Sequence, residues 1–360
     1  MHWLIKVYLL PLAIYLPIFY PNQHVMTRTV YCHLNNLFKK VSIALVIFIA
    51  GTSNLLAQGD GPRSMLLAPK GLWGVDAKWI NLKQNLSPAG NILIPGADLT
   101  INLFPITLFH TFGIGGKFAQ VYAMVNPGKV KGVINGLPIP IQDREASGTS
   151  DGFIGFKLGL IGAPALNVVQ FAGHQKAFSM NFQFRTWYSG SYNSNKAINL
   201  GTNRLTFEFG LPMALPFGNN KKYPWWFETM PSVEFYTTNN DPFFIPGSRV
   251  NSTRQKALFV IENHLSKNIT PKFWMGVGLR YQNGGKLVRD DVPQLDSRLN
   301  ILGAGIDAGY QVLPFLDLKA SYGKVLAGYN GATSRMFRLG ATFVYADLKK
   351  AKAEMAPANK

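Results

Sequence analysis

From Gln58 onward the chain alternates large apolar and polar residues with period two, in segments separated by clusters of Gly, Pro, Asn and Asp. Twelve such segments run near 72–82, 98–110, 114–127, 151–162, 176–188, 202–214, 224–237, 255–266, 271–283, 299–311, 314–324 and 335–346. In "FWMGVGLRYQ" one face carries Phe273, Met275, Val277, Leu279 and Tyr281, and the other carries Trp274, Gly276, Gly278, Arg280 and Gln282. In "SMNFQFRTWY" Met180, Phe182, Phe184 and Tyr188 oppose Ser179, Asn181, Gln183, Arg185 and Trp187. Helical periodicity is nearly absent. A tilted strand crosses a bilayer in about 9–11 residues, whereas the usual globular strand has about 5–6, so these segments have membrane-spanning length.

Period two alone does not separate a soluble sandwich from a membrane barrel, because both have one apolar face. Connection lengths separate them. With the first strand starting in the periplasm, the outer connections are 83–97, 128–150, 189–201, 238–254, 284–298 and 325–334. The inner ones are 111–113, 163–175, 215–223, 267–270 and 312–313. Long outer loops and short periplasmic turns mark an outer-membrane barrel, and 163–175 is the one poor fit. Only helices and closed barrels satisfy every backbone N–H and C=O in lipid. The pattern therefore predicts an all-β fold, a single closed antiparallel transmembrane β-barrel of about 12 strands. Trp73, Trp79, Tyr188, Trp225, Tyr281 and Tyr345 near strand ends are candidate girdle residues at the membrane interfaces.

Ahead of the first strand, "LFKKVSIALVIFIAGTSNLLAQGDGP" reads as a secretory signal: Lys39 and Lys40, an apolar core from Val41 to Ala50, and cleavage after Ala57. The apolar run is too short for a transmembrane anchor. Residues before Met26 form a second, proline-broken apolar stretch, which suggests that Met26 is the true start. The expected organisation is residues 1–57 as an N-terminal segment with the signal, 58–347 as the barrel and 348–360 as a basic periplasmic tail. The only cysteine, Cys32, falls in the first part. The exported chain then has neither a disulfide nor a thiolate metal site, and no cofactor is expected.

The formal net charge is +18, and residues 1–57 hold four basic side chains and no acidic ones, which leaves an excess of fourteen after export. Export and the lack of a basic helix argue against nucleic acid. Anionic outer-membrane lipid and lipopolysaccharide are the better partners for this charge.

Several stretches carry a resemblance. "LIGAPALNVVQF" (160–171), "YNSNKAINLGTNRLTF" (192–207), "PWWFETMPSVEFYTTNNDPF" (224–243), "RQKALFVIENHLS" (254–266), "FWMGVGLRYQNGG" (273–285), "SRLNILGAGIDAGY" (297–310) and "LKASYGK" (318–324) fall in order. Together they resemble the outer-membrane transporter-like family of the MetA-pathway of phenol degradation, with "NLGTNR" and the later "NGG" as the most specific marks. The resemblance covers most of residues 60–347. It implies a bacterial outer-membrane barrel linked to uptake of aromatic or other hydrophobic compounds. One departure is the lysine-rich tail after Asp347. Tyr345 would have to present the terminal aromatic signal to the barrel-assembly machinery from an internal position.

Projecting the alternation inward gives a lumen that includes Asp76, Lys78, Lys157, Arg185, Arg204, Glu208, Glu228, Glu234, Glu262, His264, Arg280, Asp307, Asp317, Lys319 and Arg338. Charges in a low-dielectric interior pair or stay hydrated. They form either a salt-bridge ladder that fills the lumen or a polar constriction that selects solutes, with Arg204, Glu228 and His264 as its first candidates. The expected function is passive conduction of small hydrophobic or aromatic solutes. A structural or adhesive barrel with a plugged lumen is the alternative. A lipid hydrolase is a third reading, against which stand the three remaining histidines (His110, His174, His264) and the lack of a serine nucleophile motif. "GIGGKF" (113–118) lacks the rest of a phosphate loop and reads as a hairpin turn.

Overall fold

The structure is a computed structural model and describes residues 59–137, 144–220 and 222–353. The signal segment, most of the basic tail and the tip of one loop lie outside the described residues. The barrel strands are β1 (Leu72–Gln84), β2 (Ala97–Leu103), β3 (Ile106–Ile114), β4 (Lys117–Ile134), β5 (Glu145–Ile161), β6 (Ser179–Tyr188), β7 (Thr206–Gly210), β8 (Met213–Phe217) and β9 (Trp225–Tyr236). Between β9 and the second half lies a short loop strand, β10 (Thr253–Gln255). The wall continues through β11 (Leu258–Asn268) and β12 (Phe273–Gly284). Two more loop strands follow, β13 (Leu287–Arg289) and β14 (Val292–Pro293), then β15 (Leu299–Leu313), β16 (Leu316–Gly328) and β17 (Ser334–Ala346).

Every wall strand pairs antiparallel with its neighbours, and the β1–β17 and β9–β11 pairings leave no free edge. Two staves are interrupted by proline. Pro105 separates β2 from β3, and Pro212 separates β7 from β8. A proline has no N–H for the ladder and so breaks strand regularity. Counted as continuous staves, β2/β3 and β7/β8 bring the wall to the expected closed 12-strand antiparallel barrel.

The wall is inverted relative to a soluble protein. Outward-facing Met275, Val277 and Leu279 are 45%, 52% and 46% exposed, whereas their inward neighbours Trp274 and Gln282 are buried. Repeated around the wall, such side chains make a contiguous apolar belt far larger than the few hundred Å² that a soluble monomer exposes, so the outer face needs lipid.

The short-turn side holds the β3–β4 turn at Gly115 and Gly116, whose φ angles of 54° and 74° suit glycine. The connection lengths put this turn at 111–113, but the alternation runs on through Phe112 and Ile114, and the chain folds back at the two glycines of "GIGGKF", the stretch that reads as a hairpin turn. The long inner connection has its own fold: α1 (Val168–Gly173), capped by Asn167 in a reciprocal box with Gln170. Asn167 Nδ2 also donates to Ala351 O in α2 (Leu348–Ala353), which ties the start of the tail to this turn. On the opposite side, β10, β13 and β14 form a small sheet within the long loops.

Candidate functional site

The lumen is occupied by the chain's own residues. The segment from Gly59 to Lys70, just ahead of β1, pairs with no strand of the barrel sheet. Its backbone N–H groups still need acceptors, because a buried unpaired amide is costly. The wall supplies them with carboxylates. Glu228 on β9 accepts from the N–H of Arg63 at 2.8 Å and of Met65 at 3.1 Å. Glu262 on β11 accepts from the N–H of Asp60 at 3.1 Å. Wall cations take the carbonyls: Arg338 Nη1 donates to Gly59 O at 2.8 Å and Lys157 Nζ to Ser64 O at 3.0 Å.

The segment's side chains complete the set. Asp60 forms an ion pair with Arg185 on β6. Arg63 donates to Asn268 Oδ1 at 2.8 Å and lies over the Trp274 ring at 4.8 Å. Gly61 sits at φ 85° beside the Arg338 guanidinium, a backbone conformation and a closeness that favour glycine.

The wall residues are also cross-linked. Arg185 Nε donates to Tyr122 OH at 3.1 Å, and its guanidinium lies 3.5 Å from Glu208. Trp187 Nε1 donates to Glu208 at 3.1 Å. Arg280 donates to the Glu262 carboxylate at 3.2 Å, and His264 Nε2 lies 3.5 Å from that same carboxylate. Tyr236 OH donates to Glu234 at 2.5 Å. Lys78 pairs with Asp76 at 2.6 Å, and Arg338 with Asp307 at 3.4 Å.

These contacts divide the lumen. An outer cavity of about 210 Å³ lies on the loop side and an inner one of about 250 Å³ on the periplasmic side. Asp60, Lys78, Arg185 and Arg338 line both, so the Asp60–Arg185 pair marks the level of the partition. The outer cavity is two-sided. Ile80 and Leu82 on β1, Leu103 on β2 and Met336 on β17 make an apolar wall, facing Glu208, Glu234, Glu262 and Arg280 on β7, β9, β11 and β12. The inner cavity has a cationic surplus from Arg63, Lys157 and Lys319.

All eight residues singled out from the pattern face inward. Arg185, Arg204, Glu208, Glu228, Glu234, Glu262 and His264 are buried, and Arg280 is half-buried. Arg185, Glu208, Glu234, Glu262 and Arg280 line the outer cavity. His264 stands opposite Glu228 in register, below the partition. Arg204 lies apart at the outer rim, where it donates to Gln255 and packs over the Tyr236 ring at 4.3 Å. The partition itself is built around Asp60, which the alternation does not reach. The signal that could have found it is the charged, glycine-rich "GDGPRS" directly after the expected cleavage point, facing a wall rich in unmatched carboxylates. Among the described residues, no group of three His, Cys, Asp or Glu could hold a metal ion.

The profile of the family described as "Putative MetA-pathway of phenol degradation" matches residues 85–339. No curated protein matches the sequence. Among solved structures, an outer membrane channel from Pseudomonas putida F1 is similar with a TM-score of 0.62 at 18% identity, covering 80% of this chain and 100% of that one. The translocator domain of the autotransporter NalP from Neisseria meningitidis has a TM-score of 0.45 at 10% identity, covering 88% and 97%. The CymD monoaromatic hydrocarbon channel has a TM-score of 0.36 at 9% identity, covering 81% and 95%.

Proposed function

The chain belongs to the family of the MetA-pathway of phenol degradation, and from that premise we propose that it is an outer-membrane channel for passive uptake of small hydrophobic or aromatic solutes. The observation that carries this reading is the two-sided outer cavity, which opposes aliphatic Ile80, Leu82, Leu103 and Met336 to a charged wall. A flat aromatic body gains by leaving water against the aliphatic side. The charged side, already paired within itself, takes up polar substituents or the water they displace.

Passage beyond the partition requires the Gly59–Met65 segment to shift. Hydrogen bonds to charged groups contribute about 1.5–3 kcal/mol each, so the segment stays in place most of the time. A small and intermittent conductance is expected. Liposome swelling with neutral monoaromatic solutes tests the proposal. Swelling above protein-free liposomes is expected, and none in either wild type or a variant lacking residues 59–65 would remove the channel reading.

The anchored segment also favours a second reading, a structural barrel with a plugged lumen. The two separate on that deletion: a plugged structural barrel has no route to open, since the ion pairs of the wall itself would still fill it. No hydrolase is proposed, because the sequence offers no serine nucleophile motif.

A further inference from the structure

One row on the outside of the wall carries charge on β16, β17 and β1, above a row in which β16 and β17 carry Tyr322 and Phe337 and β1 and β2 carry the hydrogen-bonded pair Asn81 and Asn102. Lys324 on β16, Arg335 on β17 and Lys83 on β1 are direct partners in register. All three point outward, since Leu82, Gln84, Ser334 and Met336 beside Lys83 and Arg335 are buried and Lys324 shares the face of exposed Tyr322. Directly opposite side chains have Cβ atoms about 4.5–5.5 Å apart, and like charges there repel. The same row continues through Thr100 to Lys131 and Glu145. Glu145 is already engaged by Lys129 at 3.0 Å and Lys131 at 3.5 Å. No described carboxylate forms an ion pair with Lys83, Lys324 or Arg335.

The height of this row is set by the strand. On β17, Tyr345 lies at the periplasmic edge opposite Trp73, and Arg335 is ten residues further along. With a rise of about 3.4 Å per residue and a tilt of about 40°, that is roughly 26 Å. The apolar band of an outer-membrane barrel is about 25 Å tall. The three cations therefore stand at the outer boundary of the hydrocarbon. Directly below them Tyr322, Phe337 and Leu339 are 40%, 39% and 42% exposed toward lipid.

An anion anchored in the membrane at this level would relieve the repulsion within the triad. We propose that Lys83, Lys324 and Arg335 bind the phosphates of a phosphorylated glycolipid of the outer leaflet, whose acyl chains lie against Phe337 and Tyr322. Phosphate accepts several charge-assisted hydrogen bonds, and its charge removes the repulsion between neighbouring staves. The inference rests on the outer-membrane placement of the barrel and not on what the lumen conducts.

The test is native mass spectrometry of the purified exported protein in detergent, titrated with bis-phosphorylated lipid A and with the same lipid after dephosphorylation. Wild type is expected to retain the phosphorylated lipid roughly tenfold or more better than the dephosphorylated one. The triple variant K83Q/K324Q/R335Q is expected to lose that preference, whereas Lys272→Gln at a periplasmic turn keeps it. Millimolar inorganic phosphate is expected to leave the lipid bound. Equal retention of the two lipids by wild type would overturn the proposal without any need for the variant to fold. So would undiminished preference in the folded triple variant, or displacement by free phosphate, which would make the site a phosphate site and not a lipid site. Conductance is read separately, so a silent channel would leave this result standing.

Discussion

Glu228 is the residue through which the lumen segment is most directly held, because one carboxylate accepts two backbone N–H groups. Glu228→Ala leaves both amides unmatched inside the barrel. Each orphaned buried group costs about 1–3 kcal/mol, so a lowered melting temperature in detergent and a larger, noisier conductance are expected together. A melting curve and a planar-bilayer trace check the pair. A drop in stability alone would mean that Glu228 supports the wall and not the segment. In the loops, the Asp290 carboxyl is held below the usual carboxylate range, chiefly by backbone hydrogen bonds from Asn251 and Ser252 at 3.0 and 2.8 Å. A lowered folded value means that this pinning is fully present above the unfolded value near about 3.9 and fades as pH falls through the folded one. Amide exchange at Asn251 and Ser252 should therefore stay slow down to about pH 4, and Asp290→Asn should speed it at neutral pH. Gly116 gives a smaller effect: a Cβ there meets no neighbour, so Gly116→Ala costs only the left-handed backbone, about 1–2 kcal/mol. Equilibrium unfolding in urea would measure that.

At the scale of elements, the staves were the legible part. Their alternation is imposed by lipid on one side and the lumen on the other, so strands such as β12 and β17 can be read off within a residue or two. "GTNRLTFEF" reads correctly as the entry into β7, with Leu205 and Phe209 exposed and Arg204, Thr206 and Glu208 buried. What was not legible has a common physical origin. α1 and the lumen segment are set by hydrogen bonds that leave no period in the sequence. The Asp60 carboxylate pairs with Arg185 and its backbone N–H donates to Glu262, residues far along the chain that share only the barrel interior. Arg204 shows the reverse limit, since parity gives the face of a side chain but not its height. The lumen segment also yields an expectation of its own. Asp60→Asn removes the charge opposite Arg185, leaves the backbone anchors, and should raise conductance less than Glu228→Ala does. Comparing the two traces under the same salt checks the order.

For the whole molecule, the outward apolar belt and the paired wall define a barrel that folds only with lipid or detergent around it. Heat-modifiable mobility on a gel is the expected signature of such a closed sheet, in which no edge strand starts the unraveling. The partition of the lumen then decides what kind of barrel this is. Single-channel conductance of the wild type and of a variant lacking residues 59–65 tests this most directly. A small, intermittent wild-type conductance is expected, and a several-fold larger, steady one once the segment is gone. Two equally silent proteins, both folded by gel mobility, would contradict it and leave a structural barrel.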